Sequence, residues 1–338
     1  MGGCRLMKKA AVAAVAVLAA VLAALLAYDG IINKEATADF FAMNTYASAK
    51  ITGADSEECA ALAEEITQSL DTDILSRTAE NSEVFLLNKN GGGALGKKMR
   101  GYVSVLLDVC EKSGGAFDFT LGAVSDLWNF GGNPSIPDSA ALSDALSHSG
   151  YKKLALAENT LTYADKAAVI DFGAAGKGIA LDEIREAFAE KSIKEAVVSV
   201  GGSVLLMGEK QFTVGIRNPS GNAGSYIAKL HIPAGCVSTS GSYEQQFEEN
   251  GEKYHHILDP ETGCPAKSGL LSVTIISESG IMSDALSTAC FVLGHEKGAA
   301  LAKEYGCTAI FITENNEVFV ENGSKDIIEI TDGAYTLI

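Results

Sequence analysis

The chain has 338 residues, 47% hydrophobic and 20% charged, and its 43 acidic against 26 basic residues leave a formal charge of −17. That composition supports a sizeable core and excludes both a disordered polypeptide and a protein built of many membrane spans. A surface this acidic repels phosphate backbones, which argues against nucleic-acid binding.

Arg5, Lys8 and Lys9 precede an unbroken apolar run over residues 10–27, the layout of a basic flank followed by an export segment. The run is long enough to span a bilayer, and its positive flank would hold the N-terminus on the cytoplasmic side. Residues 1–28 are therefore expected to be a signal peptide or an N-terminal membrane anchor, with the rest of the chain on the outer face of the cytoplasmic membrane. No small-x-small cleavage site after Leu26 decides between the two. Residues 29–39 read as a connector and 40–338 as one unit, since no linker divides them. Seven cysteines lack the paired spacing of zinc sites, so no Cys-bound metal is expected; their wide spacing leaves disulfides open without assigning a pair, and scattered free thiols are the expectation.

Along the unit, a strand is expected over 46–52 and a helix over 56–75, with apolar Leu62, Ile66 and Leu70 at helical spacing and Ser56 as its cap. Gly91, Gly92 and Gly93 read as a surface turn, 99–112 as a helix and 138–148 as another that starts at Asp138. Short β-rich segments follow at 160–163, 168–171, 196–200, 212–216, 226–232 and 271–276. Asn250-Gly251 supplies the positive φ angles of a tight hairpin between strands over 245–248 and 253–257. A helix is expected over 281–293, with Ser283 and Asp284 suited to its start. Together these give an α+β chain of mixed architecture.

Four windows carry candidate chemistry. In Asp171-Phe-Gly-Ala-Ala-Gly-Lys-Gly178 a β-like run ends in small residues before a helix from about Ile179, so exposed N–H groups can meet anionic oxygens. The spacing is neither a P-loop nor a dinucleotide fingerprint, and a plain glycine-rich turn explains it equally well. Asp284 and Thr288, four apart, share one helix face and form a hard-oxygen pair suited to magnesium or calcium; the alternative is a capping aspartate and a packed threonine. His255 and His256 sit on a strand and face opposite ways, so at most one addresses a given site. Gly115 to Gly122 and Leu127 to Gly131 concentrate glycine and aromatic residues that either hold a flat ring, with Asp118 as acceptor, or fill a core.

Taken in order, these windows resemble the FAD:protein FMN transferase, or ApbE-like, family. Met43-Asn44-Thr45 is similar to its opening strand motif, 115–120 to its Gly-Ala-Phe-Asp-Pro-Thr loop and 171–178 to its Asp-Leu-Gly-x-x-Ala-Lys-Gly turn. Further blocks at 200–202, 215–219, 238–241, 254–260 and 283–288 follow in register, so the resemblance spans about 40–335. Phe119 stands where the family has proline, Gly176 where it often has alanine, and Thr78 near the position of a ring-stacking aromatic.

The resemblance implies a T-fold-like catalytic unit that transfers the FMN part of FAD to a threonine or serine hydroxyl of an exported or membrane flavoprotein, with Mg2+ as cofactor and AMP as product. It implies Gly176 (through its carbonyl), Asp284 and Thr288 as magnesium ligands, and Lys177 at the phosphates. His256 would handle the proton, and with Lys177 and Asp284 it completes the expected catalytic set. Met43, Ala116, Phe117, Asp118, Asp171, Lys177, His256 and Ile257 would contact FAD. A magnesium-dependent FAD pyrophosphatase and a non-catalytic exported flavin-binding protein are the alternatives.

Overall fold

In the computed structural model, which describes residues 2–219 and 224–338, the apolar run lies in helix α1 (Gly2–Ile32), and the exposed side chains of Val15, Leu18 and Leu22 form no part of the core. The side chains of Cys4, Arg5 and Lys8 lie outside the described ones. The expected connector is folded: α1 continues to Ile32 and strand β1 (Glu35–Ala42) begins three residues later. Its alternating burial and its pairing along its full length with β2 (Thr45–Gly53) make it a sheet strand. The hairpin closes through Met43 and Asn44, at φ 51° and 56°, the left-handed pair that a two-residue turn requires.

Helix α2 (Ser56–Ser69) ends in a π turn, Leu70–Ile74, so the helix expected over 56–75 changes geometry in its last turn. Asp55, not Ser56, precedes it, and Ser56 Oγ is buried without a partner. Helix α3 (Glu83–Asn90), capped by Ser82, stops at Gly91 in the left-handed region. Gly92 and Gly93 then enter strand β3 (Gly92–Ala94) instead of forming a free turn. Helices α4 (Lys97–Lys112), α5 (Gly122–Trp128) and α6 (Ser139–His148) follow, the last capped as expected by the Asp138 carboxylate. Strands β4 (Leu154–Ala157) and β5 (Thr160–Tyr163) join β3 in a small sheet in which β5 is central and pairs with both. Residues 168–171 form no strand; Val169 makes an isolated bridge to Leu121.

Helix α7 (Gly176–Phe188) precedes β6 (Ile193–Val200), β7 (Ser203–Met207), β8 (Phe212–Arg217), β9 (Tyr226–Ile232) and β10 (Gly235–Gly241). The hairpin of β11 (Gln246–Glu249) and β12 (Glu252–His255) turns at Asn250-Gly251, both at positive φ as the sequence requires. The chain ends with β13 (Leu270–Ser277), α8 (Gly280–Leu293), α9 (His295–Glu304), β14 (Thr308–Thr313), β15 (Glu317–Glu321), β16 (Ile328–Ile330) and β17 (Thr336–Leu337).

Nine strands form the main sheet in the order β1-β2-β6-β7-β10-β13-β14-β15-β17. On one face, Ala47, Ala49, Val198 and Leu205 bury against Ala63, Leu181 and Phe188 of α2 and α7, and Val273 and Ile275 meet α8. On the other face, Leu206, Val237, Ile310 and Ile312 pack on Phe212, Ile227 and Leu230 of the sheet β16-β9-β8. Helix α8 is thus sandwiched between the sheet and α4, which explains why nearly all of its residues are buried. The six cysteines from Cys59 to Cys307 are free thiols.

Candidate active site

Helices α7 and α8 meet backbone to backbone. A Cβ on Gly178 would overlap the Gly280 carbonyl and come within 2.8 Å of Asp284 Cβ, so only glycine permits this approach. The closeness has an electrostatic result. The Gly178 N–H, in the first turn of α7 where N–H groups lack helical partners, donates to Asp284 Oδ2 at 2.9 Å, and Ser203 Oγ donates to Asp284 Oδ1 at 3.2 Å. The Lys177 ammonium stands 3.6 Å from the same Oδ1. Asp284 is 3% exposed, a burial that a carboxylate tolerates only with such partners. It does not cap its helix: Ser279 does, and Asp284 lies a turn further in.

Strand β10 fixes α8 from the other side. Ser238 and Ser240, two apart, point to the helix face of the sheet. Ser238 Oγ lies 2.8 Å from Ser283 Oγ, and Ser240 Oγ lies 2.7 Å from Ser287 Oγ and 3.1 Å from Thr288 Oγ1. Small hydroxyl side chains let strand and helix come close while satisfying one another. Asp284 and Thr288 therefore share the face that the sequence spacing predicts, one turn apart.

Two further titratable groups lie near this cluster, Glu244 within reach of the Asp284 charge and His256 within reach of Lys177. Glu244, which the motifs did not single out, has its Oε1 where a Cβ on Gly202 would come within 3.1 Å. Burial raises its pKa and the Asp284 charge adds to the rise, against Lys177 and Arg217. Arg217 in turn lies 6.0 Å from the ring of Tyr243. Burial, helped by the Lys177 charge, depresses the His256 pKa to about 4, so its imidazole is neutral at ordinary pH, and its buried Nδ1 has no partner. The strand expected to carry both histidines ends at His255, and His256 lies in the bend that follows it. His255 Nε2 pairs with the Ala266 carbonyl at 3.1 Å and its ring meets Phe291 edge-on, whereas His256 feels the Lys177 charge.

The other expected contacts divide by environment. Met43 is partly buried at the hairpin tip, its N–H donating to Asp71 Oδ2 at 2.7 Å. Asp171 accepts from Arg77 Nε at 2.9 Å and from the Gly173 N–H at 2.8 Å. Asp118 is a local clasp: Oδ1 accepts from the N–H and hydroxyl of Thr120, Oδ2 from the Tyr151 N–H, and burial raises its pKa. The aromatics of this stretch fill the core, not a ring site: Phe117, Phe119 and Trp128 are each 2% exposed or less, so Phe117 offers a ligand only its backbone, next to the half-buried Ala116. Phe119 packs edge-on against Phe172, their centroids 5.8 Å apart. Ile257 is buried and its carbonyl accepts from Ala266 N–H. Thr78 is exposed. Gly176 is buried at the start of α7, which begins three residues earlier than the sequence suggested.

No group of three or more His, Cys, Asp or Glu side chains suited to a metal is present among the described residues. A cation beside Asp284 would draw on one carboxylate, the Thr288 hydroxyl and backbone or ligand oxygens, a hard donor set that fits magnesium better than zinc.

A nine-stranded sheet with helices on one face and a small sheet on the other gives the chain a mixed α/β architecture, the architecture of the ApbE structures. The chain belongs to the ApbE family, whose model matches residues 43–311. It is 34% identical over 288 residues to the FAD:protein FMN transferase of Treponema pallidum, an alignment covering 78% of this chain and 80% of the relative. The crystal structure of the ApbE protein from Thermotoga maritima superposes with a TM-score of 0.77 at 29% identity, covering 88% of this chain and 97% of that one. The apo flavinyl transferase ApbE of Pseudomonas stutzeri gives 0.71 at 28% identity over 83% and 91% of the two chains.

Proposed function

We propose that this chain moves the FMN part of FAD onto a threonine or serine hydroxyl of an exported or membrane-facing flavoprotein and releases AMP. The observation that carries the reading is the buried Asp284 carboxylate, held by the Gly178 N–H with the Lys177 ammonium at 3.6 Å. In the reaction the acceptor oxygen bonds to the FMN phosphorus and the anhydride bond to the adenylate breaks. The bridging oxygen leaves with AMP, and the hydroxyl proton passes to a base.

His256 suits that base, because its neutral ring and unpartnered Nδ1 can take a proton. Lys177, whose ammonium stands beside Asp284, would add positive charge at the pyrophosphate. Asp284, Thr288 and the Gly176 carbonyl would hold magnesium. Magnesium, when bound, draws charge from the phosphate oxygens and the departing phosphate. Met43, Asp171 and Ile257, with Asp118 and the backbone of Ala116 and Phe117, would frame the dinucleotide. Helix α1 would bring the unit to the outer face of the cytoplasmic membrane, as an export signal or a retained anchor.

Incubating the purified chain with FAD, magnesium and exported proteins of its source, then reading in-gel flavin fluorescence and adduct mass, tests this. An FMN adduct with stoichiometric AMP is the expected result. Free FMN and AMP without adduct would identify a pyrophosphatase, and unchanged FAD would identify a flavin-binding protein.

A further inference from the structure

Asp182, on α7, belongs to none of the motifs above, yet it holds the start of α8. Its Oδ1 accepts from the Gly280 N–H at 2.7 Å and its Oδ2 from the Ile281 N–H and the Ser279 hydroxyl, both at 3.0 Å. Arg185, one turn along α7, bonds Asp182 Oδ1 at 2.7 Å and also donates to the Glu278 carbonyl. The cap that α8 makes for itself is weaker, since Ser279 Oγ lies 3.4 Å from the Met282 N–H. The exposed donors and the dipole at the N-terminus of α8 are therefore answered by the carboxylate of a neighbouring helix.

This contact matters because of what lies beside it. Where α7 and α8 cross, both helices present glycine, Gly178 against Gly280, and the side chains of Asp284 and Leu181 stand against the facing glycine, so a small shift of one helix on the other moves Asp284. Asp182 and Gly178, four residues apart on α7, grip α8 at 279–281 and at Asp284. We infer that Asp182 is a positioning residue: by fixing the height and rotation of α8 on α7 it places the oxygens of Asp284 and Thr288 for a cation. The inference rests on the reading of that pair as a magnesium site.

The test uses the purified full chain in detergent, with manganese as a paramagnetic stand-in for magnesium. Wild type, Asp284→Asn, Asp182→Ala and Asp182→Asn are compared by circular dichroism, by manganese binding followed by electron paramagnetic resonance, and by the magnesium concentration that half-saturates AMP release. Outer partners of metal ligands typically carry about 10- to 100-fold in affinity. Asp182→Ala is expected to weaken manganese binding and raise the magnesium midpoint by a factor in that range while the chain stays folded. Asp182→Asn, keeping one acceptor oxygen, is expected to fall between it and wild type. If Asp182→Ala fails to fold, the Asn variant decides. Variants that melt at a lower temperature but bind manganese with wild-type affinity would show a purely structural cap and overturn the inference. Loss of binding in Asp284→Asn with normal binding in both Asp182 variants would leave the magnesium reading intact and refute the role of Asp182 alone. A wild-type chain that binds no manganese would overturn both.

Discussion

His256 shows how one burial decides a residue's chemistry. Its folded pKa of about 4 lies below the 6.5 of an unfolded histidine, so between those values the unfolded chain binds a proton that the folded chain refuses. Stability linked to this group is complete above pH 6.5 and falls as the pH drops toward 4. The melting temperature of wild type should therefore drop more steeply between pH 7 and pH 4 than that of His256→Asn, and identical slopes would show that the ring is not buried neutral. The neutral base also persists in mild acid, so the low-pH limb of the transfer rate should lie well below pH 6.5. Asp284→Ala is expected to lower AMP release on the order of 100-fold with retained circular dichroism; near-normal turnover in magnesium would refute its assignment. The spacing of Asp284 and Thr288 was visible in the sequence because one helical turn sets it. Glu244 and Asp182 were not visible, since their roles depend on which other element lies opposite, and no local period encodes that.

At the level of elements, periodicity served where an element has one wet face or a diagnostic turn: α4, α6, and the β11–β12 hairpin at Asn250-Gly251 appear where expected. It failed where tertiary pairing overrides local character. Residues 35–39 read as part of a connector, but they belong to β1, which pairs along its whole length with β2. Residues 168–171 look like a strand but find no strand partner beyond the single bridge to Leu121. The glycines of the α7–α8 seam allow a sharp contrast. Gly178→Ala forces a methyl against a backbone carbonyl and Asp284, an overpacking that typically costs about 1–3 kcal/mol and would spread the site. Gly101, inside α4 with open space around it, should tolerate alanine and gain roughly 0.5–1 kcal/mol. Thermal melts of the two variants should shift in opposite directions, with transfer lost only in Gly178→Ala; a Gly178→Ala chain that melts no lower and stays active would mean that the helices do not touch.

For the whole molecule, the decisive feature is how little chain separates α1 from the catalytic body. Only Asn33 and Lys34 lie between Ile32 and Glu35, and both are bound to the body: Lys194 donates to Asn33, the Lys34 carbonyl accepts from the Gly53 N–H, and Lys34 pairs with Glu57. If α1 stays in the membrane, the body stands against it without a flexible tether, and an acceptor in the same membrane meets the site at a raised effective concentration. A chain lacking residues 1–32 keeps Lys34 and its partners, so it should fold, remain soluble and transfer FMN to a soluble acceptor as fast as the full chain does. Transfer to a membrane-embedded acceptor at low protein concentration should instead fall, and raising the concentration of the truncated chain should restore it. The full chain is expected to remain with membranes after an alkaline wash. Its appearance in the soluble fraction, shortened by the mass of the apolar run, would identify the helix as a removable signal and cancel the predicted difference between the two acceptors.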